Sequence, residues 1–148
     1  MSAAPDVQAL HDERAIVRQL GTLARILDTR AWDRVPEVVA AEVSFDYGSA
    51  GEEAGIDALL DNFRRHLDVC GPSQHLLGSI IVDVAGDEAT SRAYVQARHQ
   101  GRGDLAGAIF DSNGEYVDRW ARRGDGWLMT RREARWFSQS GDSAVIGF

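Results

Sequence analysis

Apolar residues recur at helical spacing near the start of the chain. Ile16, Leu20, Leu23 and Leu27 share one side of a 3.6-residue period, with Arg18, Gln19, Thr22 and Arg25 between them. The spacing predicts a helix from about Leu10 to Thr29, after a loose start over residues 1–8. A short second helix is expected over Ala31 to Ala40, where Pro36 fits only a first turn. Val43, Phe45 and Tyr47 alternate, which predicts a strand over Glu42 to Tyr47, and Gly48 to Gly55 reads as a loop. Ile56, Leu59, Leu60, Phe63 and Leu67 return to helical spacing, and this third helix stops before Gly71-Pro72.

From there the pattern is sheet. Gln74 to Val84 reads as a strand, Gly86-Asp87 as a tight turn and Ala89 to Gln100 as the returning strand. Gly101 to Asp104 is a loop. Leu105 to Arg122 is either one long strand bulged at Asn113-Gly114 or a hairpin turning there, since an Asn-Gly pair permits both. Gly124-Asp125-Gly126 is a second tight turn, and Trp127 to Phe137 the last strand. Residues 138–148 are small and polar and read as an irregular end. Helices first and an antiparallel meander second is the α+β pattern, and 148 residues suit one domain.

Composition narrows the function classes. A formal net charge of -7 argues against a nucleic-acid partner, because phosphate binding needs a basic face. Cys70 is the only cysteine, so no internal disulfide can form and a reducing, cytoplasmic setting is the simplest. Met1 to Gln8 has neither a basic nor an apolar signal-peptide region, and no apolar run is long enough to span a membrane. The chain carries no phosphate-binding glycine loop, dinucleotide fingerprint, zinc spacing or serine nucleophile elbow, so no cofactor is expected.

The candidate chemistry lies in four side chains. Asp28 falls on the edge of the first helix's apolar arc, beside the small residues Gly21 and Ala24. It is either a solvated helix-end residue or a carboxylate with space beside it. His75 starts one strand and His99 ends the next, so the Gly86-Asp87 turn can bring both imidazoles to one end of the sheet. A one-residue slip would put them on opposite faces. Paired imidazoles near a carboxylate suit acid–base work near neutral pH. Tyr47, beside Gly48, is either a packing residue or a donor to a ligand oxygen. His75 and His99 lack an acidic partner spaced for a metal, so no metal is expected. His11 and His66 read as solvated, Arg131, Arg132 and Arg135 as a solvated edge, and the four tryptophans as core or wall.

The order of short motifs is itself informative. Leu27-Asp28-Thr29-Arg30-Ala31-Trp32-Asp33-Arg34, then Phe45-Asp46-Tyr47, then Gln74-His75-Leu76-Leu77-Gly78, then Arg98-His99-Gln100 resembles the scytalone dehydratase family. The broader match is to the SnoaL-like group of the nuclear transport factor 2-like superfamily, over roughly Ala9 to Phe137. The resemblance implies a cone-shaped α+β barrel, with N-terminal helices packed on a curved, mostly antiparallel sheet around an internal pocket. It implies catalytic roles for Asp28, His75, His99 and Tyr47, with Asp28 orienting His99. It places Leu27 and Tyr116 at substrate-contacting positions, where the family has a tyrosine and an asparagine, and Gly114 where the family has a serine.

The retained acid–base set implies a cofactor-independent lyase, a dehydratase of a hydroxylated cyclic ketone of polyketide or steroid type. The superfamily also holds isomerases, cyclases and non-catalytic binders, so fold membership alone does not give the reaction. A hydrophobic small molecule is the expected partner. A homodimer or homotrimer is expected through the outer sheet face, where exposed Trp and Val side chains would form a patch unusual for a monomer.

Overall fold

The computed structural model describes Ala4 and residues Asp6 to Phe148. The first helix, α1 (Val7–Thr29), starts three residues earlier than its apolar period indicates. The Asp6 side chain accepts a hydrogen bond from the backbone N–H of Gln8 at 3.1 Å, satisfying an otherwise free helix-end donor. The rest of the expected loose start, Met1–Ala3 and Pro5, lies outside the described residues. One face of α1 buries Ile16, Leu20, Leu23, Ile26 and Leu27. Each such aliphatic side chain contributes roughly 1.5–3 kcal/mol on leaving water. Arg30 ends the helix in the left-handed region, at φ 57°.

The segment expected to form a second α-helix is a single 3-10 stretch, Trp32–Glu37. Pro36 has no N–H to continue an α-helical ladder, so the turn closes with the tighter bonds Arg34 N–H to Ala31 O and Val38 N–H to Val35 O. Strand β1 (Val39–Asp46) therefore begins earlier than its alternation suggests. The loop after it contains a short strand, β2 (Glu52–Ala54), followed by α2 (Ile56–Leu67).

Four long strands follow: β3 (Ser73–Ala85), β4 (Glu88–Gln100), β5 (Ile109–Arg123) and β6 (Gly126–Gly141). They form one six-stranded mixed sheet in the order β2-β1-β6-β5-β4-β3. Every neighbouring pair is antiparallel except β1 with β6. Leu105 to Arg122 thus resolves to one strand, not a hairpin. A register shift does occur at Asn113/Gly114, where Phe137 of β6 is the extra residue. Gly114 is obligatory there, because a Cβ would meet the Arg135 carbonyl oxygen at 2.0 Å.

Residues 138–148 are not an irregular end. The length of β5 gives β6 partners as far as Gly141, so polar side chains there still join the ladder through their backbone. Asp142 then caps a 3-10 turn, Ser143–Ile146, which buries Val145 and Ile146. α1 packs on β3 and β6, and α2 packs on β1. Together the helices close the curved sheet into a cone-shaped α+β fold. Trp120, Trp127, Met129 and Phe45 are among the large side chains buried in its main core. No described helix is long and apolar enough to cross a membrane.

Candidate active site

The sheet's inner face sets the site out in rows. Across β3, β4, β5 and β6 one row runs His75, Ala97, Ser112, Gln139, and the next runs Ser73, His99, Phe110, Gly141. His75 and His99 therefore share a face and lie diagonal to each other. Their ring centroids are 5.6 Å apart and the rings are nearly perpendicular, at 86°.

The structure corrects one expected pairing: Asp28 engages His75, not His99. The end of α1 lies against β3, the edge strand of this part of the sheet, and reaches His75 before the strand behind it. Asp28 Oδ1 lies 2.6 Å from His75 Nδ1 and accepts from the Ser73 hydroxyl at 2.9 Å. Oδ2 accepts from the His75 backbone N–H at 2.9 Å. Burial alone would raise the Asp28 pKa, but these donors hold the carboxyl below its ordinary value. An ionised carboxylate can only accept, so His75 Nδ1 carries the hydrogen, and in the neutral ring Nε2 holds the lone pair. His75 lines the cavity.

Arg30 pins this arrangement. Its guanidinium donates to the carbonyls of Leu27, Leu67 and Gly71 and to the Ser73 hydroxyl. One side chain thus ties the ends of both helices to the start of β3. Sequence reasoning gave Arg30 no role beyond membership of a motif.

His99 is buried at 5% exposure and its Nδ1 lies 3.0 Å from the Phe110 carbonyl oxygen. A carbonyl only accepts, so Nδ1–H donates to it and Nε2 is free to accept from a ligand. Burial pushes the His99 pKa below its ordinary value, opposed by that carbonyl bond, so the ring is neutral near pH 7.

Deeper in the cone lie Tyr47 and Tyr116, with ring centroids 6.3 Å apart. Both line the cavity, as does Leu27. Tyr47 Oη is sealed from solvent and has no hydrogen-bond partner among the described residues. Burial raises both phenol pKa values, so both keep their protons. Gly114 offers no side chain to the site.

Beneath the tyrosines is a feature that sequence reasoning missed. Arg132 is 2% exposed and is no solvated edge residue. Its Nε and Nη2 each donate to a carboxylate oxygen of Asp118 at 2.8 Å, and its guanidinium stands 3.8 Å over the Tyr116 ring. Simple alternation from Trp127 and Met129 would send Arg131 inward. An extra residue in β6, Thr130, shifts the register between Arg119 and Trp120 and turns Arg132 inward instead.

The cavity holds about 580 Å³, within the usual range for small-ligand pockets. Asn62, Phe63 and His66 of α2 close one side, and Ser143, Ile146 and Phe148 reach the same space. His66 is no solvated residue. Its Nδ1 lies 2.8 Å from the Ile146 carbonyl oxygen and its ring stacks on Phe148. The apolar pair Val145-Ile146 in an otherwise polar tail was the signal that this segment folds back. The tryptophans do lie in core and wall, Trp120 and Trp127 buried and Trp136 beside the cavity. Consequently no Trp contributes to an outer patch. That face presents Leu76, Tyr94 and Phe137 instead. Among the described residues no group of three or more His, Cys, Asp or Glu is placed to hold a metal ion.

Fold and site together define a helix-closed α+β cone with a carboxylate–imidazole dyad facing an internal cavity. The chain belongs to the SnoaL-like domain family, whose model matches residues 8–133. Solved structures agree on the fold. A Kribbella flavida protein superposes with a TM-score of 0.86 at 20% identity, over 93% of this chain and 98% of that one. A Novosphingobium aromaticivorans protein described as a scytalone dehydratase gives 0.75 at 22% identity, over 89% and 88%. The hexachlorocyclohexane dehydrochlorinase LinA-type3 of Novosphingobium barchaimii gives 0.81 at 14% identity, over 97% and 99%. No curated protein sequence matches this one.

Proposed function

We propose that the protein is a cofactor-independent lyase that removes water from a cyclic β-hydroxyketone. The observation that carries this reading is the Asp28–His75 dyad, whose imidazole lines the cavity. Two structural neighbours described as a scytalone dehydratase and a dehydrochlorinase name eliminations, which supports the class of reaction.

His75 Nε2 takes the proton α to the ketone, and the C–H electron pair becomes an enolate. Asp28 sets a negative charge against the imidazolium that forms. Tyr47, whose ring lines the cavity, donates its hydroxyl to the enolate oxygen once ligand binding shifts the ring and uncovers the sealed Oη. The enolate then collapses, the β carbon–oxygen bond breaks, and the departing hydroxide takes the proton back from His75. The products are an enone and water, with no change of oxidation state and no co-reactant. Neutral His99 accepts from the substrate hydroxyl and holds it on the same side of the ring as His75.

The test is incubation with cyclic β-hydroxyketones of one to three rings in deuterated water, followed by mass spectrometry and enone absorbance. Loss of water that depends on His75 supports the lyase. Deuterium uptake at the α carbon without loss of water moves the reading to an isomerase or cyclase using the same base. Binding with neither outcome leaves a non-catalytic pocket.

A further inference from the structure

Two polar side chains of the cavity take no part in the chemistry above. Asn62 sits on the inward face of α2 between Leu59 and Phe63, where helical spacing calls for an apolar residue. It is 8% exposed and lines the cavity. Ser112 is 3% exposed and lines the cavity from β5. Among the described residues neither side chain engages a protein partner. Yet unlike Tyr47 Oη neither is a sealed, unbonded atom, so both are open to the cavity itself. A buried amide or hydroxyl left without a partner is costly, and an apolar residue of similar size would fit both places better.

Their positions are informative. Ser112 is across Ala97 from His75 in one row of the sheet. Two strand spacings put it ~10 Å from the dyad. Asn62 approaches from the helix on the opposite wall, next to Phe63, whose ring centroid is 6.0 Å from that of Tyr47. The two groups therefore meet parts of a ligand remote from the carbon that His75 would deprotonate. An amide both donates and accepts, and so does a hydroxyl, a combination that fits ligand hydroxyls and carbonyls. A carbon–halogen bond offers no donor and only a weak acceptor.

We infer that Asn62 and Ser112 are specificity-determining residues that read oxygen substituents distant from the reacting centre, so that the ligand is a polyoxygenated ring compound and not a halocarbon. The inference rests on the small-ligand reading of this cavity and names its substrate class. Sites built to hydrogen-bond a ligand reject the analogue lacking that group by as much as ~10⁴-fold, so a preference of at least ~10-fold is expected even from a partial match.

The experiment compares 1,5-dihydroxynaphthalene with 1,5-dichloronaphthalene, which are matched in shape, by titration of the intact protein. The wild type should bind the diol at least ~10-fold more tightly. Asn62→Leu and Ser112→Ala should each weaken the diol while leaving the dichloride unchanged or tighter, with folding checked by circular dichroism. Two conservative variants on different elements guard against a single folding failure. Equal binding of the two probes by the wild type, or an unchanged preference in both variants, overturns the inference. Because binding is read without turnover, the two proposals fail separately. A diol preference lost in the variants, with no dehydration by the wild type, removes the lyase and keeps oxygen recognition. Dehydration with an unaltered preference does the reverse.

Discussion

Asp28 holds His75 at two points: Oδ1 meets the ring Nδ1 at 2.6 Å, and Oδ2 receives the backbone N–H of the same residue at 2.9 Å. The carboxylate thus fixes ring and strand together. Rotation of the imidazole would break the first bond and movement of β3 would break the second. Both atoms needed for a base of fixed direction are governed by one side chain.

It follows that Asp28 and His75 act as a unit. Asp28→Asn removes the charge and frees the tautomer, and His75→Ala removes the proton carrier. Each should lower the rate of the chemical step by ~10²–10⁴-fold. The double substitution should be little worse than either alone. Single-turnover kinetics on the four proteins, with folding verified, measure this. Independent, multiplying losses would mean that Asp28 does not work through His75.

The buried neutral state of His99 gives a pH dependence of stability. Its folded pKa lies below the ordinary value of ~6.5, so the unfolded chain takes up the proton first as pH falls. The stabilisation is fully present above about pH 6.5 and is lost as pH drops through the lower folded value. Thermal unfolding from pH 7.5 to 5 should show a falling midpoint. His99→Gln should flatten that fall. An identical slope in the variant would assign the effect to other groups.

The Asp118–Arg132 pair predicts an asymmetry between breaking and replacing. Asp118→Ala leaves a guanidinium unpaired in the interior and should cost ~3–5 kcal/mol. Replacing both residues, as Asp118→Leu with Arg132→Met, should recover much of that loss, since paired buried charges contribute little net stability over a packed apolar pair. Urea unfolding of the three proteins decides it. A double variant no more stable than the single one would mean that the pair is needed for packing in its own right.

On the outer sheet face Leu76, Tyr94 and Phe137 are 60%, 55% and 63% exposed, and the rings of Tyr94 and Phe137 lie 6.4 Å apart at their centroids. We propose that a second copy covers this patch, giving a homodimer or homotrimer. Light scattering should report more than one chain per particle. Tyr94→Glu combined with Phe137→Glu should shift it to the monomer without altering thermal stability at low concentration. A wild-type monomer at high concentration would end this proposal.

Periodicity and turn signals located α1, α2 and three of the four long strands, because each element buries a single face and its apolar positions repeat with the element's own pitch. They left Leu105 to Arg122 open between a bulged strand and a hairpin. The tight turn at Gly86-Asp87 put the ends carrying His75 and His99 side by side. Its register carried straight on would pair His99 with Gln74 and send the two rings to opposite faces; the register shift between Gly78 and Ile81 brings them to one face. Arg132, Asn62 and the tail segment were not located. Arg132 turns inward only through an extra residue in β6. Asn62 looks like a polar residue at a helix edge until a cavity stands in front of it. The tail is held as far as Gly141 by the length of its partner strand, and beyond it only the apolar pair Val145-Ile146 signalled the return.

The amino-acid sequence by itself determined the α+β plan, the inventory of acid–base groups and their approximate gathering at one end of a sheet. It did so because helix and strand periods and tight turns are local properties of the chain. Which histidine the carboxylate holds was decided by tertiary structure alone. That choice depends on where the end of α1 rests against the sheet, and hence on Arg30 tying residues more than 35 positions apart. A difference of one strand, a spacing of ~4.8 Å, separates the two possible dyads, and no local pattern resolves it.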